Sequence, residues 1–136
     1  MSRNWQTATA PSLADFESLV QEAWNKLPSD FRGAAGDLVI RVEDFAHDDA
    51  LAQLGIEDPY ELTGLYQGVS LDKQSVLDSA RDPDMVFLYR RAILDEWVSG
   101  QEELGHLIAH VLIHEIGHHF GFSDDDMATI EDETLG

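Results

Sequence analysis

Cysteine is absent from this 136-residue chain. Its absence excludes disulfides, thiolate zinc sites and cysteine nucleophile chemistry, and leaves the redox compartment open. Basic residues are scarce. Eight lysines and arginines stand against 27 aspartates and glutamates, for a formal net charge of −19. So acidic a surface repels nucleic acid and anionic membranes. It suits solubility first, and basic peptides or metal cations second. No apolar run approaches the roughly 18 residues of a membrane span. Met1 to Pro11 lacks the apolar core of a secretory signal, so a cytoplasmic protein is expected if the sequence is whole. There are no internal repeats.

What is present suffices for one packed domain, since 43% of the residues are hydrophobic. The expected organisation is a flexible polar N-terminal arm at 1–11 and a single domain at 12–136. Leu13, Phe16, Leu19, Val20, Ala23, Trp24 and Leu27 recur at helical spacing. They predict a helix over about 12–27, capped by Ser12 and closed by Pro28. Strands are expected at 38–42, 62–71 and 85–90, with a short helix within 44–54 that ends near Gly55. Residues 72–84 read as a polar, turn-rich segment. A short helical segment is expected at 92–98. Ser99 to Glu102 then has the form of a capping box opening a long helix at about 101–120, ended by Gly121. Ser123 can cap a last helix whose first turn holds Asp124, Asp125 and Asp126. The expected fold class is α+β, with a small mixed or antiparallel sheet packed against the first helix and a central, mostly apolar long helix.

Polar residues in that apolar helix need a reason. His114 and His118 are four residues apart, which places both rings on one helical face about 40° apart. Two imidazoles so spaced can grip one tetrahedral ion. Glu115, beside the first histidine, can reach a water on that ion without being a ligand. The pattern H-E-x-x-H arises by chance in about one of 50 chains of this composition, which makes it weak alone; Gly121 and Asp124 lower that to about one in several thousand. Catalytic zinc takes three protein ligands plus water. Gly121 lets the chain turn sharply, and Asp124, six residues beyond His118, can fold back as the third. Asp124 also reads as an ordinary helix N-terminal acid, in which case Asp125 or Asp126 would be the ligand. His106 and His110 extend the ladder away from the metal face. His110 reads as a residue supporting the metal ligands from behind or, more plainly, as a core residue amid apolar neighbours. His119 points about 100° from His118 and cannot share its ion.

The run from His114 to Asp124, H-E-x-x-H-x-x-G-x-x-D, resembles the extended zinc motif of the metzincins and, in its aspartate, that of the small snapalysin-type proteases. More closely, His110 to Met127 (HVLIHEIGHHFGFSDDDM) is similar to a family of small bacterial zincin-like metallopeptidases. GLYQGVSL at 64–71 and Tyr89-Arg90-Arg91 match it too. The resemblance implies a minimal zincin fold, Zn2+ held by His114, His118 and Asp124, and Glu115 as general base. No particular substrate comes with the resemblance; a peptide or protein is the partner expected of peptidase chemistry. Metzincins place a methionine turn well after the third ligand; only 12 residues follow Asp124 here, and Met127 reads first as packing for the last helix.

The expected activity is therefore zinc-dependent peptide-bond hydrolysis. Residues 85–90 are the candidate strand for adding an extended peptide to a sheet edge. Tyr66, Tyr89 and Arg90 are candidates for contacting substrate, although sheet packing and surface charge account for them more plainly. Two other readings stay open. One bacterial family of metal-dependent endoribonucleases uses H-x-x-x-H-x-x-x-x-x-H, and His114, His118 and Asp124 have similar spacing; the charge of −19 argues against RNA. The chain also fits a non-catalytic metal-binding module. No nucleic acid or membrane partner is expected, and a monomer is the simplest oligomeric state.

Overall fold

The computed structural model describes residues 4–68 and 83–135. Helix α1, Leu13–Lys26, begins at a reciprocal capping box. Ser12 Oγ accepts from the Asp15 N–H at 3.1 Å, and Asp15 Oδ2 accepts from the Ser12 N–H at 2.8 Å. A short helix, α2 (Ser29–Ala35), follows Pro28 directly. Strand β1, Val39–Glu43, precedes α3, Asp48–Leu54, which ends at left-handed Gly55. A 3-10 turn at Pro59–Glu61 leads into β2, Gly64–Gln67. The chain continues through β3 (Met85–Tyr89), α4 (Arg90–Ser99), α5 (Leu104–Phe120) and α6 (Asp124–Leu135).

The sheet is mixed, in the order β1-β3-β2. β1 runs parallel to β3, pairing Val39 with Met85 and Glu43 with Tyr89. β2 runs antiparallel to β3, pairing Gly64 with Leu88. One face of β3 presents Val86 and Leu88 to the main core, which α1 and α5 complete with Phe16, Val20, Ile108, Leu112, Ile113 and Ile116. The opposite face places Phe87 and Tyr89 against Leu51 and Ala92. The two faces follow from the period-2 alternation of a strand buried on both sides.

Three sequence expectations are corrected here. β3 lies between the other two strands, so residues 85–90 cannot take an added peptide strand. Arg90 belongs to α4 rather than to the strand. The long helix starts at Leu104, with Glu103 as its N-cap. Ser99 closes α4 instead of opening α5: its hydroxyl donates back to the Asp95 carbonyl at 3.0 Å. The capping-box pattern at 99–102 was met by a competing local bond of the kind serine makes at a helix end. α2 was not expected at all. It is too short to form alone, and Phe31 anchors it against Phe120 and Phe122, at ring-centroid distances of 4.9 and 6.2 Å. The predicted strand beyond Gly68 and the turn-rich segment to Arg81 and Asp82 lie outside the described residues.

α5 and α6 form a tight hairpin. Gly121 adopts φ 75°, and the Phe122 N–H bonds the Gly117 carbonyl at 2.9 Å. At Ser123 a second capping box opens α6. Its Oγ accepts from the Asp126 N–H at 3.2 Å, and Asp126 Oδ2 accepts from the Ser123 N–H at 3.1 Å. Met127 is 2% exposed and lies directly on Gly117. A Cβ there would come within 2.7 Å of Met127 Cγ and closer still to its sulfur. Gly117→Ala is therefore expected to lower stability by about 1–3 kcal/mol in urea unfolding, as overpacked cores do. In a Met127→Ala background the same change should become neutral or stabilising, because alanine is the better helix former. An equal cost in both backgrounds would sink this packing account.

Candidate metal centre

α5 is buried along most of its surface, and its histidines occupy what remains. His110 and His114 are half-buried, His118 is exposed, and His119 is buried. The one carboxylate within the helix, Glu115, faces β2. Gly64 makes that approach possible: a Cβ there would stand 2.8 Å from Val111 Cγ1 and 3.0 Å from Glu115 Cγ. The Tyr66 backbone N–H bonds the Glu115 carboxylate, and His118 Nδ1 lies 3.3 Å from its Oε1. Burial pushes the Glu115 carboxyl above its ordinary value. His118 and the two hydrogen bonds oppose that shift without cancelling it. Burial, then the charges of Glu43 and Glu115, push the Tyr89 phenol up to about 12.

α6 brings one carboxylate, Glu131, to the histidine stripe. Asp124, Met127 and Glu131 share one face by their spacing. Glu131 reaches both upper histidines. Its Oε1 hydrogen-bonds His110 Nδ1, and its Oε2 lies 3.6 Å from His114 Nε2. Among the described residues, His110, His114 and Glu131 form the one set of three imidazole or carboxylate donors that lie within 4.8 Å of one another. His118 turns to Glu115 instead, and Asp124 is exposed at the first position of α6.

A family model described as zincin-like metallopeptidase matches residues 35–134. The chain belongs to that family. Among curated proteins, no sequence matches it. Family membership implies a metal-dependent peptidase, and the imidazole and carboxylate donors of His110, His114 and Glu131 suit a borderline divalent ion such as zinc. The family match spans β1 to α6, so it includes every element of the sheet as well as the H-E-x-x-H helix.

The remaining sequence candidates take distinct places. Tyr66 stands on β2, with its backbone on Glu115. Tyr89 is 2% exposed. The Arg90 guanidinium is held by two groups, donating from Nε to the Pro11 carbonyl at 2.7 Å and from Nη1 to Asp44 Oδ1 at 3.1 Å. His110 is not a core residue: its side chain is 46% exposed and tied to Glu131. His119 is the buried histidine, with Nδ1 3.0 Å from Asp84 Oδ2. That pair fastens the last turn of α5 to the chain just before β3. Sequence reasoning missed Glu131 and Asp84. A signal for Glu131 existed: it recurs seven residues after Asp124 on the same face, in the half of a helix where the dipole disfavours negative charge.

The pH dependence of folding follows from Glu115. A carboxyl whose folded pKa is raised costs stability where it is ionised, above that pKa. The cost vanishes once pH falls below the ordinary carboxylate range, where both states are protonated. Metal-free Glu115→Gln should therefore melt higher than the native chain at pH 7, with the two converging below about pH 4. A difference that does not depend on pH would exclude a raised Glu115 pKa.

Proposed function

We propose that the protein is a zinc-dependent metallopeptidase in which Glu115 acts as the general base. The observation that carries this reading is the setting of Glu115. It follows the first histidine of an H-E-x-x-H helix, is drawn into the gap beside β2, and has a carboxyl raised by burial. A base with a pKa moved toward neutral pH is matched to proton transfer there.

His114, His118 and Asp124 are the proposed zinc ligands. Their donor chemistry fits the ion: two imidazoles one helical turn apart, and a carboxylate that follows the turn at Gly121. The chemistry supplied by bound zinc is polarisation of the scissile carbonyl and a lowered pKa for the attacking water. Glu115 accepts a proton from that water as its oxygen bonds the carbonyl carbon. The carboxyl then gives the proton to the amine nitrogen as the C–N bond breaks. His118, 3.3 Å from Glu115, steadies the carboxylate before substrate arrives. Among the substrate-contact candidates, Tyr66 is favoured by its position on β2, the strand beside Glu115; Tyr89 and Arg90 are the weaker pair because one is buried and the other engaged.

Zinc analysis and a peptide-library digest test the reading. Glu115→Gln is expected to keep about one zinc and to lose about 10²-fold or more in kcat/KM, the usual weight of a general base. Normal cleavage by that variant would remove Glu115 from its role. His118→Ala and Asp124→Ala should each weaken zinc binding sharply, whereas Asp125→Ala should not. A native protein that takes up no zinc when it is supplied would end the metallopeptidase reading.

A further inference from the structure

α6 sets a second carboxylate two turns beyond Asp124, and it meets the histidine stripe one turn above His118. Glu131 bridges His110 and His114, bonding Nδ1 of the first and standing 3.6 Å from Nε2 of the second. The two imidazole rings are 4.2 Å apart between centroids. Tetrahedral zinc with ligands at about 2.0–2.1 Å separates neighbouring donors by about 3.4 Å. The His114–Glu131 separation is already close to that value. Among the described residues, the ion-pair partners of Glu131 are these two histidines, with no lysine or arginine competing for it. Imidazole ligates in its neutral form, so a cation held by these three groups replaces the contacts they now make with one another.

We propose that His110, His114 and Glu131 form a second site for a zinc-class divalent cation, exclusive of the catalytic one because both sets require His114. The site rests on the geometry above; the exclusion rests on the reading of His114, His118 and Asp124 as catalytic ligands. His114 is the middle rung of the ladder and serves one set at a time. A cation held between His110 and Glu131 leaves His118 and Asp124 without their second imidazole, and the lower set is one ligand short. The metal can thus occupy either of two registers along α5, one helical turn apart. Glu131 decides for the upper register and Asp124 for the lower.

Cobalt(II) is a suitable probe, because its visible absorption reports tetrahedral binding and its paramagnetism marks the nearest imidazoles in NMR spectra. The full chain carrying His118→Ala and Asp124→Ala retains only the upper set. It is expected to bind one equivalent, with the His110 and His114 resonances affected. Adding Glu131→Gln should weaken that binding at least about tenfold, since the loss of even an outer partner costs about 10–100-fold. Thermal unfolding of each variant separates loss of ligand from loss of fold. No binding by the double variant, or binding indifferent to Glu131→Gln, overturns the site. In the otherwise native chain one equivalent should saturate; two equivalents bound together would overturn the exclusion. Failure of the catalytic reading has a different signature. Single His118→Ala and Asp124→Ala variants that both keep native cobalt affinity would remove the lower set, and the exclusion with it, while the upper titration would be unchanged.

Discussion

The apolar surface of α5 is the constraint on which the other elements depend. Ile108, Leu112, Ile113 and Ile116 are fully enclosed, and Leu107 and Val111 nearly so. Each such side chain contributes about 1.5–3 kcal/mol when removed from water. No single neighbour can cover all of them. α1 covers one side, β2 and β3 another, and α2 and α6 close around the C-terminal turns. A helix held on so many sides cannot rotate without exposing several aliphatic residues. The orientation of its polar side chains is therefore set by its core, and the histidine stripe faces outward because that is the only surface left.

The same close packing prepares Glu115. The glycine at position 64 lets β2 come near enough to bury the carboxylate and to offer it the Tyr66 N–H. Desolvation disfavours the charged form, while His118 and the amide favour it. Burial is the larger influence, so the carboxyl lies above its ordinary value. On the opposite flank, the contact of Met127 with Gly117 holds α6 alongside α5. One turn beyond that contact, α6 brings Glu131 to His110 and His114. A chain with a net charge of −19 has many carboxylates to spare, and Glu131 is distinguished by the geometry that carries it to two imidazoles.

Local chemistry explains why some elements were readable and others were not. α1, α6 and the end of α5 were readable because each carries its own punctuation: the Ser12 and Ser123 capping boxes and left-handed Gly121. α2 ends at Gly36, with φ 62°, but has no side-chain cap at its start, and so short a helix depends on Phe31 meeting Phe120 and Phe122. The start of α5 was misread because Ser99 satisfied a carbonyl of α4 rather than an amide of α5. The central place of β3 depends on a parallel partner 46 residues earlier in the chain, and pairing over such a distance leaves no local trace.

The sequence by itself determined the α+β class, the helix that bears H-E-x-x-H and the glycine turn after it, since these rest on periodicity, side-chain reach and backbone freedom within a few residues. It also determined that His114, Glu115 and His118 share one helix end. Only the tertiary structure decided which groups surround them. The strand beside Glu115, the burial that raises its pKa, the Asp84–His119 anchor and the meeting of Glu131 with His110 and His114 all join residues on different elements, well apart in the chain. Such contacts arise from how elements pack, and packing is settled by the summed burial of many side chains rather than by any motif.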